Sequence, residues 1–310
     1  MIILREPEIR ALVNDMEAVD LMREALVAHA RREAQTPMPM HLDIAPESAE
    51  VHMKSSYRLG GKYFALKMAG TFPGNAKRGL PTGNGMMLLA SAESGAPVAL
   101  FEDGGYLTDL RTAAVSAMTA RELGRADSVL GILGTGIQAR LTARLHAAVL
   151  PLERIVIWGR NVERAHDCAR ACREAVPHAT VEVAESPADV AAGARLIVTC
   201  TASRAPLLRR ANLADGTHIS AVGADSPGKQ ELDADILRDA ALLLCDSLAQ
   251  CESLGELQHA LTEHGRAIEI GAFDRWAVRP SPSGITVADF TGLGVEDLFI
   301  AQYVYERSQS

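Results

Sequence analysis

The sequence predicts an α/β chain: a Rossmann-type, doubly wound parallel sheet joined to an α+β domain with an antiparallel sheet. Three observations predict it. From Ser128 onward, short apolar runs alternate with helical segments, the rhythm of strand–helix–strand units. Before Ser128, apolar runs follow one another across short turns, as in a meander with its helices to one side. The stretch Val129–Leu133 ends in Gly134-Thr135-Gly136 and passes into an Ala/Leu-rich segment, which reads as strand, tight turn and helix.

Taken in order, Met1–Leu4 is a short strand. Leu12, Met16, Val19, Met22 and Leu26 recur at steps of three and four, the spacing of an amphipathic helix. Pro39 disfavours helix at the residue before it, so residues 38–44 start extended. Glu50–Ser55 and Tyr63–Ala69 read as strands. Gly70–Gly85 is long and poor in apolar residues, and such loops in compact domains tend to be functional. Gly85–Ser91 and Pro97–Phe101 are strands joined by a turn. Leu110–Leu123 is an Ala-rich helix starting near Thr108 and Asp109, both good capping residues. The later strands are Val129–Leu133, Ile155–Trp158, Thr180–Val183, Leu196–Thr201, His218–Val222, Ala241–Cys245 and Ile285–Ala288. Helices include Val162–Ala175, Leu232–Arg238 and Val295–Glu306.

The chain has 310 residues, 48% of them hydrophobic, which is enough for a sizeable core and suggests two domains. A net charge of −8 without Lys/Arg runs argues against a nucleic-acid partner. No apolar run is long enough to span a membrane, and no signal-peptide pattern opens the chain. Cys168, Cys172, Cys200, Cys245 and Cys251 form no metal-ligand spacing. They read as reduced thiols in a cytoplasmic protein that holds no metal.

Four groups can carry chemistry. The Gly134-Thr135-Gly136 turn, with Ala139 as the third small residue, suits a dinucleotide pyrophosphate at a helix N-terminus. Lys67 sits in an apolar strand, where burial lowers a lysine pKa unless an anion pairs with it; an edge lysine facing water is the alternative. Arg111 and Thr112 are expected in the first turn of the Ala-rich helix, a favourable place for an anion, although Arg111 paired with Asp109 in solvent is equally simple. Asp225 and Lys229 follow a parallel strand, at the carboxyl edge where open α/β sheets bind ligands. Asp225 suits a general acid/base there, or only an Asp-Ser-Pro turn. Asp289–Gly292 is a polar turn that either closes over a ligand or is structural.

Together these segments resemble the ornithine cyclodeaminase/μ-crystallin family over most of the chain. The markers are Lys67, Pro73-Gly74-Asn75, Gly79–Thr82, Leu107–Ala114, Gly131–Ala139, Gly223–Leu232 and Thr291-Gly292 followed by Glu296-Asp297. The resemblance implies a substrate-binding and dimerisation domain over residues 1–117 and 293–310, and an NAD(P)-binding domain over 118–292. It implies a homodimer acting on a small amino-acid or imino-acid substrate. By it, Lys67 and Arg111 bind the substrate carboxylate and Asp225, with Lys67, is catalytic. Thr82, Arg111, Thr112, Gly134, Thr135, Gly136, Gln138, Thr201, Val222, Lys229 and Gly292 line the cofactor.

Three departures shape the expectation. Many members carry an Arg after the Pro of the early extended segment, as a carboxylate ligand, where this chain has Pro39-Met40-His41. Cyclodeaminases proper carry a Glu shortly before the active Lys, and here Val51 and His52 stand nearest. The segments Met38–Ile44 and Glu50–Tyr57 look closest to an ectoine-utilisation or ketimine-reductase-like branch, and that resemblance implies Lys54 in place of the missing Arg as carboxylate ligand, with His41 a further expected substrate ligand. After the second parallel strand stands Gly159-Arg160-Asn161 in place of an acid. With no carboxylate to repel a 2′-phosphate and Arg160 able to accept one, NADP(H) is favoured over NAD(H). The expected activity is NAD(P)H-dependent reduction of an imine alpha to a carboxylate, or its reverse. Redox-neutral cyclodeamination and non-enzymatic ligand binding are the alternatives.

Overall fold

The computed structural model describes residues 1–123, 125–274 and 283–310. The chain forms two compact units, Met1–Arg111 with Leu293–Ser310, and Thr112–Gly292.

In the first unit the elements run β1 (Ile2–Arg5), α1 (Glu6–Leu12), α2 (Asp15–Ala30), β2 (Ala34–Gln35), β3 (Met40–Ile44), β4 (Ala49–Arg58), β5 (Tyr63–Thr71), β6 (Gly83–Ser91) and β7 (Pro97–Glu102). They make one sheet in the order β1-β7-β6-β5-β4-β2, with β3 also on β4. All pairings are antiparallel except β1 with β7. One face carries Lys67, Met87 and Phe101 in adjacent register. The C-terminal helix (Gly294–Arg307) lies over β4, β5 and β6 on this side. A Cβ at Gly294 would fall 2.4 Å from the Ser55 carbonyl oxygen, so only glycine permits that approach. Tyr303 fastens the same helix to α2 through its hydroxyl, 2.6 Å from Glu17 Oε2.

The expected single N-terminal helix is two. Asn14 interrupts it and caps α2, accepting from the amides of Met16 and Glu17, so the side chain competes successfully with helix continuation. The Ala-rich helix, α3 (Tyr106–Glu122), starts earlier than Thr108-Asp109. Asp103 accepts from the Gly105 and Leu107 amides, and Gly104 and Gly105 take positive φ to make the entry. Arg111 and Thr112 therefore lie beyond the first turn, where the helix N-terminus adds little for an anion.

The second unit is built from β8 (Val129–Leu133), α4 (Ile137–Val149), β9 (Arg154–Trp158), α5 (Val162–Ala175), β10 (Thr180–Val183), α6 (Pro187–Gly193), β11 (Leu196–Thr199), β12 (Arg204–Leu208), β13 (His218–Ala221), β14 (Gln230–Leu232), α7 (Ala234–Asp239), β15 (Leu242–Cys245), α8 (Leu248–Leu254), β16 (Ile268–Glu269) and β17 (Thr286–Asp289). Among the described residues, eight strands pair in parallel in the order β10-β9-β8-β11-β13-β17-β15-β16. The order reverses direction between β8 and β11, which makes a topological switch point. Leu133, Val156, Val190, Ile197, Ile219 and Leu243 belong to its buried core. The expected helix Leu232–Arg238 is divided: residues 230–232 form β14 on β12, and Asp233 caps α7. No helix among the described residues is long and apolar enough to cross a membrane.

Candidate functional site

In the second unit, the residues expected at a cofactor gather at the carboxyl ends of parallel strands. Gly134–Gly136 follows β8, Arg160 and Asn161 follow β9, Thr201 follows β11, Val222 follows β13 and Gly292 follows β17. Gly134 has φ +140°, and a Cβ there would meet Cys200 Sγ at 2.5 Å and Cys200 O at 2.9 Å. The turn therefore rests directly on the β11 exit. Gly136 begins α4 with no side-chain cap, and a Cβ there would meet nothing within 4 Å. A helix start of this kind, with its amides uncapped by side chain, suits an anion. A Cβ at Gly159 would fall 2.2 Å from Thr135 Cγ2, so the end of β9 lies against the same turn. Arg160 is exposed; Asn161 caps α5, its Oδ1 accepting from the Arg164 amide at 2.9 Å.

Two buried acids hold these exits together, and neither was singled out from sequence. Glu231 Oε1 accepts from the Thr201 amide (2.6 Å) and hydroxyl (2.7 Å), and its Oε2 from the Gly223 amide (3.0 Å). Burial pushes its pKa up to about 7, against the hydrogen bonds from Thr201, Thr199 and Gly223. Asp246 accepts from the Thr291 and Gly292 amides at 2.8 and 2.6 Å, fixing the turn after β17. A carboxylate is suited to both tasks because it accepts at each oxygen. The signal available in sequence was an acid set in or beside an apolar strand, as Asp246 is after Leu242–Cys245.

Asp225 and Lys229 come together. Lys229 Nζ donates to Asp225 Oδ1 at 2.7 Å, and the Ser226 hydroxyl donates to the same oxygen at 3.1 Å. Asp225 is about 40% exposed and Lys229 about 11%, so the carboxylate end of the pair is the one solvent reaches.

In the first unit, Lys54 and Lys67 are direct cross-strand partners on β4 and β5, and both are buried. Lys67 Nζ lies 3.7 Å from Asp297 Oδ2. Arg111 donates from Nε to Asp297 Oδ1 (3.0 Å) and from NH1 to Glu296 Oε2 (2.8 Å). Burial works against its charge, yet Asp297 and Glu296 raise the guanidinium pKa above its usual value. The Glu296-Asp297 pair opens the C-terminal helix, where acids oppose the helix dipole favourably. Their role as partners of Arg111 was invisible in sequence, since well over a hundred residues separate them.

His41 stands on β3 opposite His52 on β4, ring centroids 4.7 Å apart. Its Nε2 lies 3.0 Å from Asp43 Oδ1. Thr82 is exposed at the entry to β6, and its carbonyl accepts from the Phe72 amide at 2.7 Å. Thr112 is half-buried on α3, and Gln138 is half-buried in the first turn of α4.

Known proteins match this chain over its whole length. A putative dehydrogenase of Rhizobium meliloti is 38% identical over 100% of this chain and 96% of its own. The structure of Thermococcus litoralis Δ1-pyrroline-2-carboxylate reductase in complex with NADH and L-proline superposes with a TM-score of 0.92 at 25% identity, covering 100% of this chain and 98% of that one. An archaeal alanine dehydrogenase dimer with bound NAD gives 0.88 at 30% identity, covering 99% and 95%. Residues 2–310 match the ornithine cyclodeaminase/mu-crystallin family, and the chain belongs to that family.

Proposed function

We propose that this chain is an NAD(P)H-dependent reductase of a small imine or ketimine alpha to a carboxylate, and that in reverse it oxidises the corresponding amino acid. The observation that carries the substrate half is the lysine pair. Like charges directly opposite on neighbouring strands repel, and burial raises the cost of each. Asp297, 3.7 Å from Lys67 Nζ, offsets part of that repulsion, and a substrate carboxylate beside Lys54 and Lys67 offsets more of it, with Arg111 as a further ligand and His41 at the outer end of the same face. Proline, named with the Thermococcus reductase, has this chemistry: a secondary amine alpha to a carboxylate.

The glycine turn at the switch point fits a dinucleotide, since nothing fills the space in front of Gly136. The reduced nicotinamide, when bound, supplies the hydride. Asp225, held by Lys229 and Ser226, manages the proton on the substrate nitrogen. Glu231 and Asp246 keep the Thr201, Gly223 and Gly292 backbones in position. For the cofactor we favour NADP(H), because Arg160 follows β9 where an acid would exclude a 2′-phosphate; Arg160→Ala should then weaken NADPH more than NADH.

The partner is a second copy of the chain. The sheet face away from the C-terminal helix carries Met40, Met53, Met68 and Met86 in one cross-strand row. Met40, Met68 and Met86 are each at least 41% exposed, as are Leu42 and Leu66 on the same face. An apolar patch of this kind on a folded unit marks an interface.

The deciding experiment offers the purified chain cyclic and acyclic imino acids with NADPH and NADH, and follows loss of reduced-cofactor absorbance. Asp225→Asn should abolish turnover while cofactor still binds; near-normal activity would remove Asp225 from its role. Release of ammonia from a diamino acid without net cofactor change would place the chain among the cyclodeaminases instead. Cofactor binding without turnover of any imine or amino acid would favour a binding protein.

A further inference from the structure

The outer end of the β3–β4 ladder carries a set of side chains that the reductase reading touches only at His41. Residues two apart on a strand share a face, so His41 and Asp43 point the same way on β3, as do Glu50 and His52 on β4. The register pairs His41 with His52 and Asp43 with Glu50, which places all four on one face. We propose that His41, His52 and Glu50 bind a divalent transition-metal ion, best suited to Zn²⁺, with Asp43 as the carboxylate that orients His41.

The geometry supports this in three ways. One ligand atom from each of His41, Glu50 and His52 lies within 4.8 Å of the others. A tetrahedral Zn²⁺ at 2.0–2.1 Å from its ligands sets them about 3.3 Å apart, so side-chain movements of about 1 Å close the site. His41 Nε2 is engaged with Asp43 Oδ1 at 3.0 Å, while its Nδ1 is buried and has no hydrogen-bond partner. That is the arrangement a ligating histidine needs: one nitrogen donates to a carboxylate, which fixes the tautomer, and the other presents its lone pair.

Two imidazoles and one carboxylate form a donor set typical of zinc that keeps a coordination position open. The open position takes water or a carboxylate. The side chains of His41, His52 and Glu50 retain 29%, 14% and 17% exposure, which gives the ion a path in. Two separate histidine–carboxylate pairs, His41 with Asp43 at 3.0 Å and His52 with Glu50 at 3.9 Å, leave the buried His41 Nδ1 unaccounted for. The expectation of a chain without metal rested on cysteine spacing, whereas this set is brought together only by strand register. An ion here joins β3, which among the described residues pairs only with β4, to the rest of the sheet.

The test uses the full-length chain without an affinity tag, stripped with chelator and titrated with ZnCl₂ in a calorimeter and with CoCl₂ by visible absorption. One ion per chain should bind, with the d–d bands of a low-coordinate Co²⁺ site, and Zn²⁺ should raise the thermal midpoint. His41→Ala and His52→Ala should each weaken binding about 100-fold or more, and Asp43→Asn about 10- to 100-fold. Glu50→Gln keeps the side-chain shape and should also weaken binding, while exposed His178→Ala should leave it unchanged. Each variant's metal-free thermal midpoint shows whether it has folded. Absence of saturable binding, or binding that survives in His41→Ala and His52→Ala or disappears in a Cys168→Ser, Cys172→Ser variant, would overturn the site.

Discussion

Replacing Gly134 and Gly136 one at a time should separate folding from cofactor binding. At Gly134 an alanine must adopt φ near +140°, with its Cβ 2.5 Å from Cys200 Sγ and 2.9 Å from Cys200 O. Holding an L-residue in that region costs about 1–3 kcal/mol, and forcing a methyl into a packed site costs about 1–3 kcal/mol more. The expected loss is therefore about 2–6 kcal/mol, against a typical total of about 5–15 kcal/mol. At about 2–4 °C per kcal/mol, the thermal midpoint should fall by roughly 5–20 °C. Adding Cys200→Ala removes the sulfur contact but not the carbonyl one, so it should restore only part of the loss.

Gly136→Ala is the counterpart. Its φ of −82° suits any residue, and its Cβ would meet nothing within 4 Å. Stability should fall by no more than about 1 kcal/mol, the difference between Gly and Ala at an N-cap. In the proposed cofactor site the methyl would occupy the space of the pyrophosphate, so affinity for the reduced nicotinamide cofactor should fall at least about tenfold. Differential scanning fluorimetry and cofactor-fluorescence titration on both variants provide the readouts. If Gly134→Ala melts within about 1 °C of the parent, the packing argument fails. If Gly136→Ala binds cofactor normally, the turn is not the pyrophosphate site.

Asp297→Asn should destabilise the chain by about 3–5 kcal/mol in denaturant unfolding, because Lys67 and Arg111 would remain buried beside one carboxylate fewer; a loss below about 1 kcal/mol would show that the cluster is solvated. Acid should act through two opposing sets of buried groups. Burial lowers His146 to about 4 and, with the nearby Arg125 charge, lowers His218 to about 3. The unfolded chain then binds protons that the folded one refuses, and stability falls as pH drops below about 6.5. Burial raises Glu231 and Asp289 to about 7, so these stabilise the fold as pH drops from 7 toward 4.5. With each shift equivalent to about 3–5 kcal/mol, stability should stay nearly level from pH 7 to 4.5 and fall by about 2 kcal/mol more between pH 4.5 and 3, where His218 finally accepts its proton. A steady decline from pH 6.5, measured by thermal midpoint, would mean that the carboxylates do not hold their protons. On the methionine face, Leu66→Lys or Met68→Lys should convert a dimer to monomers in sedimentation velocity, and an unchanged sedimentation coefficient would move the interface elsewhere.

The sequence was most legible where structure is local. The helix Val162–Ala175 and the strands Val129–Leu133 and Thr180–Val183 match their expected bounds, because apolar periodicity and flanking turn residues act within a few positions. Boundaries failed where a side chain reached the backbone from outside the periodic run. Asp103 started α3 before Thr108, and Asn14 broke the first helix in two. The two-residue and three-residue strands β2, β14 and β16 had no pattern long enough to read.

What the sequence determined by itself is the alternation that yields a parallel sheet and the glycine turn at its carboxyl edge, since both follow from backbone sterics and short-range hydrophobic spacing. The tertiary structure alone decided which charges meet. Arg111 is held by acids 185 and 186 positions away, Glu231 joins the exits of β11 and β13, and His41 faces His52 through strand register. Electrostatic and hydrogen-bonding partners are chosen by distance in space, which the order of residues along a chain does not encode until the sheets have formed.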